Sequence, residues 1–340
     1  MVQNLGKAQS PVRQVVFDPQ LAQEVAKRLA QGLHPSLIAM QLAGKADAAV
    51  VAAYVKQVEA SPFYKGAAEA AASLRKNEWI LDCQRKAWAE QPDAATIPRK
   101  HRLDPERFLS EHYANQRPAV LTGLVDDWPA LSLWSVDYLE DTVGRETPIE
   151  MQRGRQSSKR FEMDSERLKV IAPFSELTDV LRAGERSNDV YVTANNGSAN
   201  RAAFDPLWGD FGIIEGYTQA DPENDGFLWL GPAGTITPFH HDLTNNLLIQ
   251  VKGRKRVHMI PNWEESRMKT VRRWFTEWTL EAIEAAGEDA PLVMETQIGP
   301  GDALYIPVGW WHRIESLDES YSVLFTNFVR HNGFRTGYMA

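Results

Sequence analysis

Three side chains could together hold a divalent metal: His240 and Asp242 in the run Gly234-Thr-Ile-Thr-Pro-Phe-His-His-Asp, and His312 in Gly309-Trp-Trp-His-Arg. In an extended chain, residues two apart point to the same side, so the His240 imidazole and the Asp242 carboxylate converge while His241 points away. Two imidazoles and one carboxylate on one face of an octahedron form the arrangement that non-haem iron(II) oxygenases use. The opposite face then stays open for a bidentate co-substrate and oxygen. His-x-Asp alone is a common pair, and other readings fit it. His241 as the ligand, with Asp242 orienting it, satisfies the same local pattern. His101, His112, His258 and His331 offer further imidazoles. His258 lies in a strand-like run and reads as a packed residue, and His312 behind two tryptophans also reads as a core histidine.

The setting of His312 favours the metal reading. Gly299-Pro-Gly-Asp-Ala-Leu-Tyr-Ile-Pro-Val-Gly-Trp-Trp-His reads as a tight turn, a strand, a proline break and then a histidine opening the next strand. Short apolar runs separated by turns recur from about Asp189: Val190 to Ala194, Phe227 to Gly231, Asn246 to Val251, Arg256 to Ile260, Ala303 to Ile306 and Tyr321 to Phe328. This pattern predicts a β-barrel or jelly roll, interrupted by a helical pattern over Glu264 to Ala286. Upstream, Pro105 to Tyr113 reads as a short helix and Pro118 to Gly123 as a strand. Residues 91–103 read as a linker. From Asp18 to about Trp88 the periodicity is helical, with Leu21, Val25 and Leu29 on one face, Leu37, Ile38 and Leu42 after Pro35, the stripe Val50, Tyr54 and Val58, and a further helix over Ala67 to Ala89. These helices read as a small packing bundle. The expectation is a mainly β chain with helices (α+β): an N-terminal tail and helical region over 1–96, and a double-stranded β-helix domain over 97–340.

Composition bounds the function. Hydrophobic residues make up 43% of the 340 and charged residues 24%, enough to bury a sizeable core. A net charge of −8 argues against general nucleic-acid affinity, which needs a basic surface. The basic runs Lys252, Arg254, Lys255, Arg256 and Lys269, Arg272, Arg273 read as solvated faces or hairpin edges. The single cysteine, Cys83, excludes an intrachain disulfide and multi-thiolate clusters. Neither a secretory pattern nor an apolar run of membrane-spanning length is present, so a cytoplasmic protein without DNA or membrane partners is expected.

Read together, the motifs Thr237-Pro-Phe-His-His-Asp, Asn246, Val251-Lys-Gly-Arg-Lys-Arg, Gly301-Asp-Ala-Leu-Tyr-Ile-Pro, Gly309-Trp-Trp-His-Arg-Ile-Glu-Ser and Thr326-Asn-Phe carry a resemblance, with Arg117-Pro-Ala-Val-Leu-Thr-Gly and Asp127-Trp-Pro upstream. Over about 105–330 the chain resembles the JmjC and cupin-like 2-oxoglutarate oxygenases. In motif it is closest to the asparaginyl hydroxylase that acts on hypoxia-inducible factor. The resemblance implies iron(II) on His240, Asp242 and His312, with 2-oxoglutarate and oxygen as co-substrates. It implies that Lys255 binds the distal carboxylate of 2-oxoglutarate, which agrees with the need of a lysine deep in a barrel for an anion. Thr237 and Tyr191 match hydroxyl donors to that carboxylate. Asn246 and Asn327 match amides near the iron-bound end. Trp310 and Trp311 read as barrel walls.

Three departures bear on substrate: Val329 replaces a tryptophan, Glu264 to Ala290 differs from the substrate-covering insert, and His241 replaces an aromatic residue. The resemblance implies hydroxylation of a protein or peptide side chain. Its rivals on the same site are N-methyl-lysine demethylation and hydroxylation of a small molecule or RNA. Demethylases of the family often carry glutamate in place of Asp242 and chromatin-reading modules. From another class come a non-oxygenase metal cupin, as isomerase or binding module, and a silent scaffold. Homodimerisation is compatible with the N-terminal helices or with residues 328–340.

Overall fold

Asn246–Lys252 is a run of branched apolar residues with two buried amides, and all but its last residue are buried. A strand buried on both faces must sit at the centre of a sheet with material above and below. In the computed structural model, which describes residues 18–219, 226–271 and 274–334, this is strand β7. Strands are numbered here in chain order. One six-stranded sheet runs β1 (Arg99–His101), β2 (Ala119–Thr122), β12 (Ala303–Ile306), β7, β14 (Ser320–Phe325) and β5 (Gly226–Gly231). The other runs β11 (Met294–Ile298), β8 (Lys255–Ile260), β13 (Trp311–Ser316), β6 (Ile236–His240), β10 (Phe275–Thr276) and β9 (Thr270–Val271). From β5 to β8 and again from β11 to β14, successive strands alternate between the two sheets, and their pairings are antiparallel. That alternation is the double-stranded β-helix, an α+β jelly roll once the flanking helices are added. A hairpin of β3 (Pro148–Gln152) and β4 (Lys169–Pro173) stands apart.

The two faces of the first sheet divide the work. Leu247, Ile249 and Val251 of β7 join Val323 and Phe325 of β14 in the main core, packed with the helices that carry Leu139, Leu177 and Leu181. Asn246, Leu248 and Leu324 face the opposite way, into a cavity between the strands. This is the two-residue period of a strand put to use.

The chain divides into two compact units, 1–84 and 85–340. In the first, α1 (Pro19–Ala30), α2 (Pro35–Gln41), α3 (Ala48–Ala60) and the start of α4 (Pro62–Ala89) enclose Val25, Leu29, Ile38, Leu42, Val51, Tyr54 and Val55. Asp18 caps α1 by accepting from the Gln20 and Leu21 amides, and proline opens α1, α2 and α4. The stripe on α3 turns by one position from the expected one, burying Val51 and Val55 and leaving Val50 and Val58 at its margin.

Several boundaries differ from the sequence reading. The linker ends before Arg99, which begins a strand paired in parallel with β2. Val190 to Ala194 forms no continuous strand. Tyr191 and Val192 make single bridges to Gln152 and Leu230 before a 3-10 turn begins. Glu264 to Ala286 holds the end of a 3-10 turn, β9, β10 and only a seven-residue helix, Leu280–Ala286. Its Trp274-Phe-Thr-Glu-Trp alternates as a strand does, but helix-favouring residues on either side mask that period. Residues 1–16, Arg272, Arg273 and the end of the chain after Phe334 lie outside the described residues. Among the described residues, no helix is long and apolar enough to cross a membrane.

Candidate metal and co-substrate site

His240 ends β6, and β13 sets His312 directly opposite it in register, with the two rings 4.2 Å apart between centroids. Asp242 does not lie in an extended strand, as expected, but in the loop after β6. The Gly309 amide donates to its carbonyl at 3.0 Å and thereby returns the carboxylate to the two rings. The ligand atoms of His240, Asp242 and His312 lie within 4.8 Å of one another. His312 Nε2 stands 3.5 Å from Asp242 Oδ2. Each histidine donates its other nitrogen to a backbone carbonyl, His240 Nδ1 to Pro238 at 2.9 Å and His312 Nδ1 to Trp310 at 3.0 Å. A carbonyl only accepts, so Nδ1 carries the proton and the Nε2 lone pair is left for a cation. Burial, reinforced by the neighbouring His240, holds His312 down to about 4, so it is neutral at physiological pH.

A bulge completes this wall. Between the pairs His312–His240 and Ile314–Thr237, β6 advances three residues while β13 advances two. The extra residue lies at Pro238 or Phe239, where a proline without an N–H fits the gap in the ladder. Thr237 and His240, three apart, therefore both line the cavity instead of facing opposite ways.

The cavity holds about 480 Å³. Across it from the metal-ligand atoms, Lys255 enters from β8 at 1% exposure. Its Nζ lies 3.5 Å from the Tyr191 hydroxyl and 6.0 Å from the Trp229 ring, and among the described residues no carboxylate pairs with it. Burial pushes Lys255 down to about 7 and Tyr191 up to about 12. Of the rest of the basic run, Lys252 and Arg254 lie at the hairpin and pair with Glu319 at 2.9 Å and Asp318 at 2.7 Å, while Arg256 lies within β8, 3.4 Å from Glu295.

Of the residues singled out from sequence, His240, Asp242, His312, Lys255, Thr237, Tyr191 and Asn246 share this cavity. Asn327 does not line it: its Nδ2 donates to the Gln219 carbonyl at 3.3 Å, and Thr326 faces the cavity instead. His241 also lines the cavity and sets its ring against Trp311 at 4.7 Å, edge to face. His258 packs in β8 with its Nε2 3.1 Å from Glu295.

Sequence reasoning missed a second group. Glu162, nearly buried, lines the cavity and accepts from Arg155 at 3.0 Å and Asn195 at 3.1 Å. Arg155, fully buried, donates to the Ile236 carbonyl of β6 at 2.7 Å and lies over Phe161 and Tyr191. Trp274 and Phe275 close another side. Glu162 and Arg155 sit on an irregular connection, where no periodicity flags them, and Trp274 and Phe275 sit at the start of the two-residue strand β10.

The donor set fits a divalent cation with open positions, and the unmatched Lys255 ammonium fits a dicarboxylate. A double-stranded β-helix with such a cavity is a cupin-like architecture. The cupin-like domain model matches residues 105–332. The chain belongs to this family, in its JmjC-type branch of iron(II)- and 2-oxoglutarate-dependent oxygenases. It is 29% identical over 244 residues to lysine-specific demethylase 8 of Xenopus tropicalis, covering 67% of this chain and 52% of the relative. It is 28% identical to lysine-specific demethylase JMJ30 of Arabidopsis thaliana, covering 67% and 54%, and 30% identical to Jumonji C domain-containing protein 5 of Drosophila melanogaster, covering 67% and 59%. The match thus spans little more than half the length of these relatives. Two of the three are named as demethylases and none as the asparaginyl hydroxylase that the motifs suggested.

Proposed function

We propose that the chain removes methyl groups from N-methyl-lysine in a protein, using iron(II) held by His240, Asp242 and His312 and 2-oxoglutarate anchored by Lys255. The observation that carries the site is the buried Lys255 facing the triad across one cavity, with no carboxylate paired to it among the described residues. The comparisons favour the demethylase reading over side-chain hydroxylation, since two relatives bear that name. The walls suit such a substrate: Phe227, Trp229, Trp274 and Phe275 offer aromatic faces, to which a methylated ammonium is attracted, and Glu162 adds a carboxylate.

When bound, the metal and its co-substrate supply oxidation of a C–H bond by oxygen coupled to loss of carbon dioxide from 2-oxoglutarate. The protein's part is binding and exclusion. His240 and His312, held in one tautomer by the Pro238 and Trp310 carbonyls, present Nε2, and Asp242 adds the negative charge. Lys255, Tyr191 and Thr237 hold the far carboxylate. Leu248, Ile306, Ile314 and Leu324 keep the interior dry, so the polar groups act at low dielectric.

The test is anaerobic loading with iron(II) and 2-oxoglutarate, admission of oxygen and detection of succinate, with Asp242→Ala alongside. A panel of methyl-lysine peptides is then assayed for formaldehyde. Succinate lost in the variant, with formaldehyde from a methylated peptide, supports the whole reading. Succinate with gain of one oxygen on a peptide and no formaldehyde would move the substrate to side-chain hydroxylation. Absence of both succinate and 2-oxoglutarate binding would sink the site assignment.

A further inference from the structure

We propose that Asn246 is a positioning residue of the metal site, acting through the Asp242 carboxylate, with Thr244 steadying its side chain; the inference rests on the metal-site reading above. Asn246 opens β7 at 2% exposure. Its Nδ2 donates to Asp242 Oδ2 at 2.5 Å, and the Thr244 hydroxyl donates to its Oδ1 at 3.0 Å. Asp242 accepts only, so the amide nitrogen faces it; the Thr244 hydroxyl, which can serve either amide atom, then donates to Oδ1 and steadies the side chain. The flipped amide would set two acceptors against each other. Oδ2 is also the carboxylate oxygen that faces His312 Nε2. The amide thus holds the very oxygen that looks into the ligand set.

Asp242 needs such a partner because it sits in a loop, and rotation about its last side-chain bond is broad and roughly two-fold. A neutral amide fixes that rotation without cancelling the charge a cation requires. The backbone of the loop is held separately. Gly309 N–H donates to the Asp242 carbonyl at 3.0 Å, and Asn245 Oδ1 accepts from Val308 N–H at 2.8 Å and the Tyr305 hydroxyl at 3.0 Å. The same latch joins this loop to the turn before His312, so both halves of the triad rest on one support. Replacing Asn246 therefore frees the carboxylate and leaves the loop in place. This differs from the co-substrate contact that the resemblance implied for Asn246.

The experiment titrates the full chain with cobalt(II), without 2-oxoglutarate, and follows the visible absorption band. Wild type is compared with Asn246→Ala, Thr244→Val and Asp242→Ala, and 2-oxoglutarate affinity is then measured on the cobalt-loaded proteins. We expect Asn246→Ala to weaken cobalt affinity by about 10- to 100-fold and to alter the band. Thr244→Val should move both in the same direction by less, and Asp242→Ala should abolish binding. Thr244 is half-buried, so its variant carries the comparison if Asn246→Ala fails to fold. Wild-type cobalt affinity in a folded Asn246→Ala, with a loss confined to 2-oxoglutarate, would overturn the proposal and assign the amide to the co-substrate. No cobalt binding by the wild type would be a failure of the metal-site reading itself.

Discussion

Lys255 and its surroundings set a proton balance that can be worked out by sign. Its folded value, about 7, lies below the ordinary 10.5 because burial disfavours the charged form. Between about 7 and 10.5 the unfolded chain therefore binds more protons than the folded one, so stability rises with pH across that window and the penalty is fully present below it. A bound dicarboxylate restores the ammonium. Binding of 2-oxoglutarate above pH 7 should then take up a proton, and its affinity should fall as pH rises, by up to about tenfold per unit. Calorimetry at pH 8 in two buffers of different ionisation enthalpy would read the uptake, and identical heats after dilution correction would contradict it. Lys255→Met should lose 2-oxoglutarate binding while leaving the melting temperature of the ligand-free protein at pH 7 unchanged or higher, because an unpaired buried charge has been removed. A drop of many degrees would mean that Lys255 is paired in a way the fold does not indicate.

Among the elements, the β7–β8 turn bears most directly on Lys255. Gly253 has φ +73, and a Cβ there would sit 2.0 Å from the Glu319 carbonyl oxygen and 3.0 Å from its carbon. Gly253→Ala should cost about 2–4 kcal/mol from left-handed strain together with displacement of the neighbouring strand end. Denaturant unfolding measures this, and a cost within error of zero would show that the turn can re-form. What could be read from sequence divides along similar lines. Lys255, His312 and Thr237 do line one cavity: a proline break and a strand pattern pointed to His312, and the family resemblance pointed to Lys255 and Thr237. Asn246 was legible as a residue of the cavity through the resemblance, but its partner was not, since the Thr244–Asn246–Asp242 chain of contacts depends on a loop path that no periodicity describes. Glu162 and Arg155 were invisible for a related reason: they meet from an irregular stretch between β3 and β4, and only the fold brings them under β6. Asn327 was misplaced by one residue, which in a strand-like segment is enough to exchange inside for outside.

For the whole molecule, the boundary falls inside α4. Units 1–84 and 85–340 part there, yet Trp88, at the end of the same helix, packs at a tilt against Trp263, with ring centroids 4.8 Å apart, and lies under the Arg117 guanidinium at 5.3 Å. A chain beginning at Arg85 should fold and bind 2-oxoglutarate like the full protein. One beginning after Trp88 should melt lower, because Trp263 loses its cover. Equal melting of the two would show that the tryptophan contact adds nothing. The pairing of His240 with His312 has a further consequence. An ion held by both would join points of the chain that are separated by the entire β9–β10 excursion and the helix Leu280–Ala286, but only in the folded molecule. Such an ion binds the folded chain alone, so each loss of it would withdraw that stabilisation and raise the share of unfolded molecules. For this protein, scarcity of iron would shorten the life of the molecule as well as slow its chemistry.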